Sequence, residues 1–553
     1  MRTTKMYWAI ACKAMVISLL VSCQKEQVEP EDSSQQFNLE ESDTLQMIKL
    51  GKKLENPYSV VNMRKAWESL QAKSKVSKDG EIKATHLYVK FKPKDEDELA
   101  ILKTDSTLVL YDVPLDHEMS EEGEFYHDPE LPIDQPTYQY ASIPVSQEIP
   151  KDVEFEILEE LFIPDEEIDS DGDEKSSFAS KETIYQLVDE SLHLTGNMDE
   201  GEIGGSATAK SKWRPSGIIR VYDHVTQSYV GVSGVKVRAR RWFTTRRGFT
   251  DSKGRFSCNG RFRRKANYSI KWDRYQYSIR SGTFGQAILN GPKKRGDWIV
   301  RLGKSTSNVV DDRQQYYALI HQGAHDYYYG GRFGLTSPPR NSFFRRQLKI
   351  AARLKNDRSS YVKARRIWFG SDISLMEWRT RSDFVYGTIV HELAHAAHRE
   401  VDRRAYNAVV WDAWTGPCTS LNGCNNPGPT GKNRRRLLET WASTVEIVFA
   451  LQRYQNKYNL TNYDYKRNKY QNQRIDFNLY YTSAGYDMID NVNQQQTYGI
   501  HYPKDRVKGY SIKQLEDALR GARSWEQWRN NIRNRYNNSS EQYLNELFNN
   551  WKD

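Results

Sequence analysis

The sequence predicts a multidomain α+β protein, in which a small β-rich N-terminal domain and a β-sandwich precede a C-terminal domain of helices and strands. The 553 residues are too many for one ordinary hydrophobic core. Short alternating runs of polar and apolar residues dominate up to residue 303, and helical spacing dominates from residue 308 onward. The charge is also divided, because residues 24–200 hold 17 Lys and Arg against 43 Asp and Glu, whereas the residues after 200 hold 61 against 29.

Residues 1–23 form a predicted lipoprotein signal peptide. Arg2 and Lys5 precede an apolar run that ends in Leu-Val-Ser-Cys at Cys23 and is too short to span a bilayer. This ending resembles the lipobox of bacterial lipoproteins, and the Gln-Lys-Glu sequence after it resembles the export tag of Bacteroidota surface lipoproteins. The resemblance implies a lipid on Cys23, an outer-membrane anchor and exposure at the cell surface. The alternatives are a membrane-spanning anchor and a soluble N-terminal helix.

Three segments follow the signal peptide. Residues 24–43 are polar and acidic, which favours a flexible tether. Residues 44–168 contain short alternating runs and one helical stretch, which predict a small β-rich acidic domain. Residues 169–212 predict an acidic linker with a short helix. The acidic run from Asp169 does not match a calcium loop, because Glu174 stands where that loop needs glycine.

Residues 213–303 predict a β-sandwich, because short strands follow one another without helices. Gly-Val-Lys-Val followed by Thr-Asp-Ser-Lys-Gly-Arg-Phe, within residues 234–256, resembles the carboxypeptidase regulatory-like, transthyretin-type sandwich. The resemblance implies a structural or binding module without catalysis of its own. Its Lys and Arg clusters form either a surface for polyanions or a solvated strand face.

Cys258, Cys418 and Cys424 remain after the signal peptide. Cys418 and Cys424 flank a short polar segment, so they form either a small disulfide in an oxidising compartment or two free thiols. A zinc site made of these cysteines is not expected, because the CxxC spacing is missing.

The segment His391-Glu392-Leu393-Ala394-His395 carries the clearest chemical signal. On a helix predicted over residues 384–401, His391 and His395 lie one turn apart on one face and can bind one metal ion together. Glu392 lies beside that position, where a carboxylate can act as general base toward a metal-bound water. The flanking residues are mostly apolar, which predicts a buried helix.

A catalytic zinc needs a third protein ligand and one open position. His398 lies about 10 Å along the helix axis from His391, which is too far for both to bind one ion. The ligand is therefore expected from another element. A long loop is predicted over residues 406–432, and a second predicted helix, starting at residue 435, offers Glu439 and Glu446 on one face.

An HExxH segment followed by a helical Glu resembles the gluzincin class of zincin peptidases. The resemblance favours Glu439, because a small residue follows it by one turn, and leaves Glu446 as the less favoured ligand or a surface acid. Ser443 stands where some members of the class have an Asp that supports a zinc histidine. For residues 308–553 the resemblance implies an α+β zincin-like fold. It also implies a Zn²⁺ site made of His391, His395 and Glu439, with Glu392 as base and acid.

Two further groups of residues were considered for the site. His321 and His325 share the four-residue spacing but lack a Glu at the second place, so packing or hydrogen bonding is expected instead of a second metal site. Sites of this class also need a group that stabilises the oxyanion. Tyr498, His501 and Tyr502 are candidates for it by residue type alone.

The order of the segments resembles the layout of Bacteroidota surface lipoprotein metallopeptidases. This implies hydrolysis of protein or glycoprotein substrates outside the cytoplasm, with the predicted strand at 373–376 aligning the substrate by edge pairing. The alternative is a non-catalytic surface lipoprotein that binds glycan or protein through its sandwich and basic surface. The opposite charges of the two parts leave three interpretations open: the acidic N-terminal part docks on the basic C-terminal domain, the basic part faces polyanions, or both are solvated surface. In the first case the acidic part could also shield the catalytic domain as an intramolecular inhibitor. No nucleic-acid partner is expected.

Overall fold

The computed structural model describes residues 20–22, 46–73, 81–132, 134–164, 181–199, 211–282, 285–342, 346–356, 361–363, 371–415, 428–465, 471, 473–476 and 480–551. Within these ranges the chain is a multidomain α+β protein, which confirms the predicted fold class at that level. Cys23, Cys418, Cys424 and the acidic run at 169–173 lie outside the described residues. None of the helices in the described ranges is both long and apolar enough to cross a membrane.

The N-terminal unit, residues 46–199, is built on a three-stranded antiparallel sheet. In spatial order the strands are Gln139–Pro144, His86–Phe91 and Phe155–Leu161, and a separate pair joins Lys49–Lys53 to His117–Glu121. Helices Val60–Ala72 and Lys181–Leu194 share one core with the sheet, and helix Glu96–Thr104 contributes to a second core on the other face. The short helix of the predicted linker therefore packs into this unit.

Two four-stranded sheets pack face to face after this unit. The first contains, in spatial order, Thr244–Phe249, Lys236–Arg241, Ala266–Lys271 and Ile288–Lys294. The second contains Arg255–Ser257, Ser216–Asp223 and Trp298–Leu302, with Ser228–Gly231 paired to Ser216–Asp223. Tyr268 of the first sheet contacts Phe256 and Trp298 of the second, with ring centres 6.2 and 5.3 Å away. Gly254 has a φ of +79°, and a Cβ there would lie 2.1 Å from the carbonyl oxygen of Ile219, so the turn requires glycine.

A six-stranded mixed sheet organises the C-terminal part. Its strands, in spatial order, are Leu20–Ser22, Tyr361–Lys363, Ile373–Leu375, Leu348–Ala352, Tyr277–Ser281 and Gly285–Gln286. Tyr277–Ser281 lies inside the range predicted as sandwich, yet it pairs in parallel with Leu348–Ala352. All of its residues are buried. A strand that is buried on both faces lacks the alternation that would reveal its environment, so the sequence did not separate it from the sandwich.

Ile373–Leu375 lies inside the mixed sheet. It pairs in parallel with Leu348–Ala352 and antiparallel with Tyr361–Lys363. The prediction that this strand aligns a substrate by edge pairing is therefore wrong, because strands of the chain itself occupy both of its sides.

The two faces of the mixed sheet contact different parts of the chain. On one face Tyr277 stacks on Tyr328 of the helix Arg313–Tyr329, with ring centres 5.6 Å apart. Lys349 lies on the opposite face, because the residue before it is paired with Tyr277. Its ammonium group is 2.8 Å from the carboxylate of Glu96 in the N-terminal unit. Similar ion pairs join Asp97 to Arg346, Asp112 to Lys271, Glu124 to Arg313 and Asp199 to Arg241, at 3.1, 3.1, 3.4 and 3.0 Å.

Two long helices pack against each other in the C-terminal part, the motif helix Ser382–Val401 and the carboxylate helix Pro429–Leu451. Helix Arg403–Thr415 lies between them in the chain, where the sequence predicted a long loop. For residues 406–415 that prediction was wrong, because apolar residues recur there with helical spacing and are buried, and residues 416–427 lie outside the described part of the chain. The other helical segments are Arg332–Gly334, Gln452–Lys457, Ala484–Asp487, Gln494–Tyr498, Ile512–Asp517, Trp525–Arg535, Glu541–Tyr543 and Leu544–Asn549.

Candidate metal centre

The motif helix is buried along nearly its whole length. It packs against the helix Arg313–Tyr329 and against the carboxylate helix, and His391, Glu392 and His395 have no exposed surface. The rings of His391 and His395 lie on one side of the helix, with centres 4.9 Å apart. Polar groups at such a depth are costly unless they are paired or bind a ligand.

Glu439 of the carboxylate helix completes a compact group of three residues that could hold a metal ion, the candidate metal-binding group. Its Oε2 atom is 3.3 Å from Nε2 of His391 and 3.5 Å from Nε2 of His395. One ligand atom from each of the three residues lies within 4.8 Å of the other two. Two imidazole nitrogens and a carboxylate oxygen that converge in this way form a set of donors that fits a metal ion. Among the described residues, no other His, Cys, Asp or Glu group meets the same criterion.

The charges in this group are strongly coupled. Burial acts to lower the pKa of His391, but hydrogen bonds to Glu439 and Glu446 outweigh it and raise that pKa to about 9. Burial lowers the pKa of His395, and the charge of Glu439 offsets this only in part. Burial acts to raise the pKa of Glu439, yet the two histidines hold it well below its usual value. The Glu439 carboxylate is therefore ionised, as a metal ligand must be.

Glu446 supports one of the two histidines from behind. Its side chain is fully buried, and its Oε2 atom lies 3.0 Å from Nδ1 of His391. Because a carboxylate only accepts, Nδ1 of His391 donates its proton to Glu446, so Nε2 is the ring nitrogen that could bind a metal once its own proton is lost. Glu446 thus lies outside the candidate metal-binding group, and it is buried and not a surface acid. Ser443 lies four residues after Glu439, at the position that the sequence analysis considered for a supporting carboxylate. The supporting carboxylate is instead Glu446, seven residues after Glu439.

Tyr465 and Gly387 complete the support of Glu446. The Tyr465 hydroxyl donates to Oε1 of Glu446 at 2.5 Å. Gly387, one turn before His391 on the motif helix, leaves the space for this contact. A Cβ at Gly387 would lie 1.8 Å from the Tyr465 hydroxyl and 2.9 Å from Oε1 of Glu446. No sequence pattern indicates Tyr465, because it lies in an irregular segment after the carboxylate helix.

The three residues considered for stabilising the oxyanion, Tyr498, His501 and Tyr502, are not among the described neighbours of the metal-binding group. Tyr498 is 41% exposed and packs against Tyr502, with ring centres 5.4 Å apart, and His501 is exposed. Among the described contacts, none joins these three residues to the metal-binding group. Tyr481 lies there instead, half-buried, with its ring centre 6.2 Å from that of His391.

His321, on the helix Arg313–Tyr329, and His398, on the motif helix, lie in environments of a different kind. The Nε2 atom of His321 is 2.9 Å from the carbonyl oxygen of Ser233, and its Nδ1 atom is 3.2 Å from the hydroxyl of Tyr277. Burial lowers the pKa of His321 to about 3. His321 therefore has the hydrogen-bonding role expected for it. His398 is buried against Tyr406, with ring centres 5.0 Å apart, and it is not part of the metal-binding group.

Comparison of the chain with protein-family models, with curated proteins and with solved structures finds no match. The function is therefore inferred from the residues of the site and their surroundings.

Proposed function

We propose that this protein is a zinc-dependent peptidase of the gluzincin type, with His391, His395 and Glu439 as the metal ligands. The convergence of these three buried side chains is the observation that carries the proposal. Two imidazoles with one carboxylate favour zinc over magnesium or calcium, which prefer oxygen ligands alone. Three protein ligands leave a fourth position for water or substrate, as catalysis requires.

The side chains around the ligands have separate roles in the proposed hydrolysis. A bound zinc would supply Lewis acidity toward the scissile carbonyl and the attacking water. Glu392, which follows the first ligand on the motif helix, accepts the proton of the water and passes it to the leaving amine. Glu446 keeps the His391 ring in one orientation and tautomer. Tyr481, near the His391 ring, donates a hydrogen bond to the oxyanion that develops on the substrate.

The proposed place of action rests on the lipobox-like sequence Leu-Val-Ser-Cys at residues 20–23. A lipid on Cys23 would anchor the protein to the outer membrane, and residues 24–43 would hold the folded part away from the lipid surface. Protein or glycoprotein substrates outside the cytoplasm are therefore the proposed targets.

A digestion assay tests this function. Purified residues 24–553 are incubated with casein and gelatin, as wild type and as Glu392→Gln, before and after removal of metal with a chelator. The wild type is expected to cleave, to stop when the metal is removed and to recover when zinc is added. Glu392→Gln is expected to lose about 10²- to 10⁴-fold in rate while keeping its fold. No cleavage by the zinc-loaded wild type, or full activity of Glu392→Gln, would instead support the non-catalytic binding lipoprotein.

A further inference from the structure

Three consecutive arginines of the carboxylate helix have different surroundings. Arg434 forms an ion pair with Asp412 at 3.3 Å. Arg436 is buried, with its guanidinium carbon 6.0 Å from the ring centre of Trp525. Arg435 lies one helical turn before Glu439 and therefore beside the metal-binding group.

The guanidinium group of Arg435 is held in place from two sides. Its Nε atom donates to the carbonyl oxygen of Ala413 at 3.1 Å, and its carbon lies 5.7 Å from the ring centre of Tyr480. Arg435 also interacts electrostatically with Glu439 and Tyr481. Tyr481 is also the aromatic neighbour of His391, so the guanidinium group of Arg435 and the metal-binding group lie in the same region of the site.

A cation in this position is suited to recognition of an anion. Guanidinium groups bind carboxylates through paired hydrogen bonds, and a group that is already fixed loses less conformational entropy on binding. Arg435 remains half-buried and is therefore within reach of solvent and ligands.

We propose that Arg435 is a specificity-determining residue that binds a carboxylate of the substrate next to the scissile bond. This inference rests on the proposed peptidase function. The carboxylate is either the C-terminal group of the peptide or an Asp or Glu side chain. The first source makes the protein a carboxypeptidase, and the second makes it an endopeptidase with a preference for acidic residues.

Three series of fluorogenic peptides test the proposal with the zinc-loaded protein. One series has a free C-terminal carboxylate and neutral side chains, one has an amidated C-terminus with a single Asp or Glu at each position in turn, and one is amidated and neutral. The wild type is expected to prefer one of the first two series. Equal cleavage of all three series would overturn the proposal.

Variants of neighbouring arginines separate recognition from a structural role. Arg435→Met is expected to raise KM for the preferred series by about 10- to 100-fold, which corresponds to loss of a hydrogen bond to a charged group, with unchanged zinc content and a smaller change for the neutral series. For Arg435→Lys we expect a KM between those of wild type and Arg435→Met. Arg434→Met is the matched control, and its KM is expected to equal that of wild type. Loss of zinc in Arg435→Met, or an equal loss on every series, would mean that Arg435 only positions Glu439 and would refute the proposal.

A binding experiment keeps this test independent of turnover. 2-Benzylsuccinate has one carboxylate for a metal and another for a cation, and its affinity for the zinc-loaded protein is measured by calorimetry. A loss of affinity of at least tenfold in Arg435→Met supports the carboxylate site even if the wild type cleaves no peptide. In that case the proposed peptidase function fails and the recognition site remains. Equal affinity of wild type and Arg435→Met would overturn the carboxylate site.

Discussion

Replacement of Glu446 by Ala is expected to weaken zinc binding without removing a ligand. In the structure Glu446 accepts the hydrogen bond from Nδ1 of His391 at 3.0 Å, and both side chains are fully buried. Removal of a group that supports a metal ligand costs about 10- to 100-fold in metal affinity, or about 1.4 to 2.8 kcal/mol. Loss of the ligand itself in Glu439→Ala is expected to cost considerably more.

The assay is a competition for zinc at pH 7 between the protein and a chromophoric chelator of known affinity. Glu516→Ala is the matched control, because Glu516 is also fully buried and accepts from the backbone amide of Thr336 at 2.8 Å. The control variant is expected to bind zinc as tightly as wild type. If folded Glu446→Ala bound zinc with wild-type affinity, the supporting role of Glu446 would be refuted.

Three further changes probe the packing and charges around the site. Gly387→Ala is expected to reduce the free energy of unfolding by about 1–3 kcal/mol in urea titrations, because its Cβ meets the Tyr465 hydroxyl at 1.8 Å. Glu96→Gln leaves buried Lys349 without its partner and is expected to cost about 3–5 kcal/mol in the same assay. Burial raises the pKa of Asp505 to about 8, so its charged form opposes folding as the pH rises from about 4 toward 8. Asp505→Asn is therefore expected to raise the melting temperature at pH 8 and not at pH 4.

Each of these changes has its own control. Tyr465→Phe in the Gly387→Ala background removes the clashing hydroxyl and is expected to restore part of the stability; a strictly additive loss would contradict the proposed contact. The ion pair of Lys49 with Glu121 is exposed on both sides, so Glu121→Gln is expected to change the stability by less than about 1 kcal/mol. A lower melting temperature of Asp505→Asn at pH 8 would contradict the expected cost of the Asp505 charge.

The ion pair between Glu96 of the N-terminal unit and Lys349 of the mixed sheet indicates that this unit stabilises the rest of the chain. Its Glu96 contacts the face of the mixed sheet opposite to the helix Arg313–Tyr329, against which the motif helix packs. Buried Lys349 on that face would lose its partner if the unit were removed. Deletion of residues 24–200 is therefore expected to destabilise the rest of the chain, whereas a unit that only shields the catalytic site would leave a stable and more active remainder.

The sequence predicted the parts of the site that depend on local periodicity. His391, Glu392 and His395 lie within one turn and a half of one helix, so their common face follows from helical geometry alone. The need for a third zinc ligand left Glu439 and Glu446 as candidates on the next helix, and the resemblance to the gluzincin class favoured Glu439. The distance between the Glu439 carboxylate and the two histidines depends on how the two helices pack, and the structure provides it.

The features that the sequence did not predict depend on contacts between distant segments. Glu446 was left as an alternative ligand, because its role is defined by the rotation of one helix against another. Tyr465 lies in an irregular segment without periodicity. The strand Tyr277–Ser281 was missed because both of its faces are buried, and the edge assigned to residues 373–376 failed because the neighbour Tyr361–Lys363 supplies the pairing.

Zinc stoichiometry of the purified mature chain tests the central claim most directly. Residues 24–553 are reconstituted with zinc and dialysed, and the metal is measured by plasma mass spectrometry in wild type and in Glu439→Ala. One zinc per wild-type chain and a much lower content in folded Glu439→Ala are the expected results. No zinc in the reconstituted wild type would contradict the metal centre, and full zinc in Glu439→Ala would contradict Glu439 as the third ligand.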